Sequence, residues 1–207
     1  MDLSLSEQFV LLTHKPTGGR VRAADHAGAA ELADFLLWQR IDFVGGKIRV
    51  LDPAPTGSPS FDGGLALLHQ HATTKRKPLS VLKYLQARNP LSGGWNSAFA
   101  AHRAVLEQRD HLRRGEKRLL GLVPHDCWYP NPAVWNAVLH GVRSFARQEV
   151  APDARLISLA ALVHSTGLHQ SLPLTAPERA QLKRISRSTP LGEAVRRAVN
   201  AQSAAVM

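Results

Sequence analysis

The chain has 207 residues, 44% hydrophobic and 20% charged, enough to bury a sizeable core within one domain spanning 1–207. Its 26 basic and 16 acidic residues leave a formal net charge of +10, which favours anionic partners, either nucleic acid or an acidic membrane face. A single cysteine, Cys127, excludes an intrachain disulfide, and no apolar run approaches the roughly 20 residues that a bilayer span needs. No charged-then-apolar leader opens the sequence, so the expectation is a cytoplasmic protein whose membrane contact is peripheral.

Helix signals dominate along the chain. Ser4 and Glu7 form a capping box ahead of Phe9, Leu11 and Leu12. Residues 27–40 predict a second helix with Leu32, Phe35 and Leu36 on one face. Gly45-Gly46, between residues 41–44 and 47–51, marks a two-residue hairpin. Pro59 after Ser58 opens a helix carrying Leu65 and Leu68, and Pro78 opens another over 79–88. After a loop at 89–94, Trp95, Phe99, His102 and Leu106 recur at helical spacing towards His111.

A second hairpin is predicted over 112–129, with a basic tip and an apolar second arm. Asn131-Pro132 caps a helix bearing Val134, Val138, Val142 and Phe145. Pro152-Asp153 begins an apolar helix that runs to Gly167. Thr175 with Glu178 is a second capping box, and Thr189-Pro190 starts the last helix. The expected fold is mainly α, a compact helical domain of eight or nine helices with two small β-hairpins.

Ten histidines invite a metal reading that the spacing does not support. His69 and His71 point to different sides of a helix, His164 and His169 straddle a helix stop at Gly167, and His125-Asp126-Cys127 reads as a loop without a second ligand cluster. No Gly-x-Ser-x-Gly elbow or phosphate-cradling glycine loop is present, and the acidic residues sit mostly at caps and helix ends. The chain is therefore expected to be non-catalytic, with no metal and no cofactor. The basic residues carry more information. Arg109, Arg113, Arg114, Lys117 and Arg118 crowd the second hairpin, followed by Leu119, Leu120, Leu122 and Val123. Charges beside an apolar tip suit an anionic membrane interface, at about 1 kcal/mol per cation near the surface. The simpler alternative packs those leucines beneath the hairpin. Lys75-Arg76-Lys77 reads as a solvated loop.

The leucine-rich first helix, the Ala54-Pro-Thr-Gly57 turn after a hairpin, and the basic hairpin running into Leu119-Leu-Gly-Leu122 occur in this order and spacing. Together they resemble the Golgi phosphoprotein 3 family, over residues 3–201, and in particular its single-domain bacterial members. The resemblance implies a peripheral membrane adaptor that binds anionic phospholipid headgroups, phosphatidylinositol 4-phosphate among them. It also implies membrane contact and self-association through the 112–129 hairpin, and protein clients. Eukaryotic members place a Trp and an Arg around the loop and start of the second helix, and two Arg three residues apart before the hairpin. Here the loop has Arg20 and Arg22 but no Trp, and the later helix has Arg103 and Arg109, six apart. The expected headgroup ligands are therefore Arg20, Arg22, Arg103 and Arg109. The expected membrane-contact residues are Arg113, Arg114, Lys117, Arg118, Leu119, Leu120 and Leu122. The competing reading is a nucleic-acid-binding, winged-helix-like module, since a helix followed by a basic hairpin has that outline too. The Trp95–Leu106 stripe looks like core, which weighs against it.

Overall fold

The computed structural model describes residues 3–89, 97–119 and 123–204, without the side chains at 118, 119 and 123–125. Helix α1 (Leu5–Leu12) starts at the expected capping box: Ser4 Oγ accepts from the Glu7 amide at 3.1 Å, and the Glu7 carboxylate accepts from the Ser4 amide at 2.8 Å. Two further orphan amides of its first turn, Leu5 and Ser6, donate to the Asp34 carboxylate at 3.1 and 2.8 Å. Asp34 belongs to α2 (Ala27–Leu37), so each helix helps to fix the other. Both are buried almost all round, which explains why neither shows a clean two-sided pattern.

Helix α2 stops three residues short of the expected Arg40. Gln39 takes a left-handed φ of 57°, and the Arg40 amide turns back to the Phe35 carbonyl at 2.8 Å. That turn launches the hairpin of β1 (Ile41–Val44) and β2 (Lys47–Val50), joined by Gly45 and Gly46 with φ of 56° and 73°. Thr56 in the following turn donates from its amide and hydroxyl to Asp62 at 2.6 and 2.7 Å, which seats the start of α3 (Pro59–Thr74). Next come α4 (Val81–Ala87) and α5 (Ala98–Gln108). The second hairpin is β3 (Leu112–Leu119) with β4 (Val123–Pro130), and α6 (Pro132–Ala146), α7 (Ala154–Ser165), α8 (Ala176–Ser188) and α9 (Pro190–Ala204) complete the order. The described residues thus hold nine α-helices and two two-stranded antiparallel sheets, a mainly α fold.

Helices α1, α2 and α7 form the centre, with α5 packed on α1 and α2 and with α8 and α9 packed on α7. Phe99, His102 and Leu106 are buried as the helical spacing predicted, while Trp95 lies outside the described residues. The triplet His125-Asp126-Cys127 forms part of β4 and not a loop, because those residues pair with Lys117, Glu116 and Gly115. The interior also holds charge. Glu31, fully buried, accepts from Tyr84 Oη at 2.7 Å and from Arg88 Nε at 2.9 Å, and lies 3.2 Å from His102 Nε2. Burial alone would raise the Glu31 pKa, but Arg88 and His102 outweigh it and hold the carboxyl below its ordinary value.

Candidate functional site

The loop after α1 is a miniature antiparallel turn. The Val21 amide donates to the Thr13 carbonyl at 2.9 Å, and the Lys15 amide donates to Gly19 at 2.9 Å. His14 and Arg20 face each other across it as a bridge. The second hairpin clamps this loop. Tyr129 lies against Gly18, where an added Cβ would sit 2.7 Å from its ring, and an added Cβ at Gly115 would sit 2.9 Å from the same ring. Lys117 Nζ donates to the Thr17 carbonyl.

Loop, α5 and β4 together enclose a cleft of about 430 Å³, lined among others by His14, Arg20, Phe99, Arg103, Asp126 and Trp128. Its geometry is aromatic and cationic. The Arg103 guanidinium lies 4.0 Å from the Trp128 ring centre and 5.8 Å from that of Phe99, and Arg20 lies 5.3 Å over Phe99. Each arginine also pairs with one carboxylate outside the cleft, Arg20 with Asp25 at 3.1 Å and Arg103 with Glu107 at 3.0 Å. A guanidinium has five donors, so both keep N–H groups for a ligand. Trp128 Nε1 is buried and has no hydrogen-bond partner among the described residues. Asp126, on the cleft wall, is forked by Arg114 at 2.9 and 2.5 Å.

His14 stacks on Phe99 at 5.4 Å, and its Nδ1 is 2.9 Å from the Val10 carbonyl. Burial lowers its pKa to about 4, and Arg103 and Arg20 push in the same direction against the Val10 hydrogen bond. The imidazole is therefore neutral near pH 7 and contributes shape, not charge. The cleft can stack a planar or sugar-like group and donate hydrogen bonds to an oxyanion.

Of the four expected headgroup ligands, the fold brings two together. Arg20 and Arg103 share the cleft; Arg22 is exposed at the start of a short 3-10 turn, Arg22–His26, and is not part of its lining. Arg109 pairs with Glu7 at 3.2 Å and lines a different cleft beside Leu3, Asp34 and Trp38. Arg109, the C-cap of α5 six residues beyond Arg103, thus departs from the expected ligand set, because that offset points its side chain to another side of the helix. Trp128, Phe99 and His14 were missed. The signal for Trp128 lies in the hairpin register, which sets it opposite Arg114 on the face that also carries Asp126. On the hairpin, Arg113 is exposed, and Arg118 and Leu119 belong to β3 by their backbone. The side chains of those two, and Leu120 and Leu122 entirely, fall outside the described residues. Among the described residues, no group of three or more His, Cys, Asp and Glu is placed to hold an ion.

The profile of the family Golgi phosphoprotein 3 (GPP34) matches residues 5–202, nearly the whole chain. The chain belongs to the Golgi phosphoprotein 3 family. No curated protein matches it significantly. For this Golgi phosphoprotein 3 family member, no helix among the described residues is long and apolar enough to cross a membrane. Trp128 of β4 is the tryptophan that lines the Arg20–Arg103 cleft.

Proposed function

We propose that this protein is a non-catalytic peripheral membrane adaptor that binds anionic phospholipid headgroups, with phosphatidylinositol 4-phosphate as the family's precedent, in the Arg20–Arg103 cleft. The observation that carries this reading is the convergence of two guanidinium groups on Phe99 and Trp128 in a concave site. Stacking on an aromatic ring pre-orients a guanidinium, and its fork matches phosphate oxygens. The basic hairpin clamps the loop of the cleft, so headgroup capture and surface contact would involve one region. The fold also speaks against a groove-reading helix. Helix α5 is packed on α1, α2 and α3, and of its residues only Ala104 and Gln108 are exposed.

Co-sedimentation with vesicles of graded anionic content tests the reading. Binding is expected to rise with acidic lipid and fall with salt. Arg103→Ala is expected to weaken binding by about tenfold, from the loss of a charge-assisted contact of about 1.5 kcal/mol. Arg22→Ala should change it far less. Unchanged binding for both Arg103→Ala and Trp128→Ala would place the headgroup elsewhere.

A further inference from the structure

Arginines on several faces are tied to carboxylates, as Arg49 is to Asp42, Arg143 to Glu178 and Arg197 to Glu193. Four of the seven lysines behave differently. Lys47, Lys75, Lys77 and Lys83 line one cleft of about 280 Å³, together with His71, Pro78, Leu79 and Ser80. No carboxylate is part of that lining. Lys75 and Lys77, from the exposed run 75–77 expected to be a solvated loop, form one of its walls.

The walls are held by backbone. Strand β2 is zipped to the segment before α4: Lys47 bridges Ser80, and the Ile48 amide donates to the Leu79 carbonyl at 2.8 Å. Arg76 takes a left-handed φ of 46° and folds the chain back at the end of α3. Ser80 Oγ accepts from the Lys83 amide at 3.3 Å and so fixes the last lysine's turn. Leu79 is buried beneath them. Lys75 Nζ stands 3.5 Å from His71 Nε2. Desolvation first, then Lys75 and Lys83, lower the His71 pKa.

Like charges gathered without a counter-ion repel one another, and a bound anion relieves that repulsion. Lysines are compact point charges, suited to a dense cluster of phosphates in varied orientations more than to one forked contact. No Phe, Tyr or Trp lines the cleft, so a nucleobase would find no stacking partner. The volume lies at the small end of ligand sites. We propose that this cleft is a second anion site, sharing no residue with the Arg20–Arg103 cleft, for a compact group bearing two or more clustered phosphates. Such a group occurs on a lipid headgroup or on a soluble polyphosphate.

Calorimetric titration with sodium tripolyphosphate at fixed ionic strength, with sodium sulfate as the control, tests it. Lys75→Gln/Lys83→Gln alters two exposed positions and should leave the melting temperature unchanged. This variant is expected to bind tripolyphosphate at least about tenfold more weakly, while Arg103→Ala stays within about twofold of the parent protein. Vesicles carrying phosphatidylinositol 4,5-bisphosphate separate the two sources. A parallel loss of vesicle binding in the lysine variant assigns the site to lipid; retained vesicle binding alongside lost tripolyphosphate binding assigns it to a soluble ligand. Equal tripolyphosphate affinity in parent and lysine variant, or affinity no greater than for sulfate, overturns the proposal.

Discussion

Glu31 is a charge with no access to water, and its partners come from two other helices: Tyr84 on α4 and Arg88 at its end, and His102 on α5. Gly64 of α3 gives it room, since a Cβ there would meet Tyr84 Oη at 2.4 Å and Glu31 Oε2 at 3.1 Å. Removing the carboxylate would take away the counter-charge of Arg88, which is itself buried. Glu31→Ala is therefore expected to cost about 3–5 kcal/mol, read by urea denaturation. A loss below about 1 kcal/mol would mean that water reaches Arg88. None of this was legible beforehand. Glu31 sits in an alanine-rich helix like any surface acid, and its partners lie 53, 57 and 71 residues away.

At the scale of elements, the link between the loop after α1 and the β3–β4 hairpin decides whether the candidate cleft exists. Gly18 adopts φ 85° directly against Tyr129, so a side chain there meets both a disfavoured backbone and an occupied space. Gly18→Ala is expected to loosen the loop and displace Arg20, weakening vesicle binding as much as Arg20→Ala does. Gly19, with φ 89° and open space around its Cβ position, isolates the backbone contribution. Gly19→Ala should therefore perturb binding less, and comparable losses in the two variants would argue against the Tyr129 contact. Turn and cap chemistry made the elements themselves easy to anticipate. Both capping boxes, Asn131 as cap and the Gly45-Gly46 turn act locally. Boundaries shifted where a left-handed residue intervened, as Gln39 does after α2 and Asp110 after α5.

For the whole molecule, burial of histidines couples stability to pH. His14 and His164 are both lowered from 6.5 to about 4, chiefly by burial, and His26 and His169 are lowered in the same direction. His164 stacks on His169 at 4.5 Å, with Lys183, Arg187 and Arg196 adding to the shift. The unfolded chain takes up these protons near pH 6.5, whereas the folded chain resists until about pH 4. Stability is thus complete above pH 6.5 and lost progressively as pH falls towards 4. Protonation also adds to a net charge already at +10 and increases self-repulsion. Glu178, held near 2 by its Thr175, Arg143 and Arg147 contacts despite desolvation, keeps most of its contribution above its ordinary 4.5 and loses it only as pH falls below that. The melting temperature is expected to fall between pH 7 and 4.5, and His14→Phe should flatten part of that slope. A melting temperature that is level or rises on acidification would contradict this account.

The sequence alone determined the helical class, the two hairpins and the family, because caps, turn glycines and apolar spacing act over a few residues. It also determined the surplus of positive charge, a property of composition. Which cations act together was decided by the tertiary structure. Arg20 and Arg103 meet because loop, α5 and β4 converge, and Arg109 is drawn to Glu7 on another surface. Trp128 joins them through strand register, and four lysines from β2, the loop after α3 and the start of α4 gather where their sequence positions gave no hint of contact. The physical reason is common to all of these. Secondary structure follows from neighbours in sequence, whereas a site is made by groups that only packing brings within reach of one ligand.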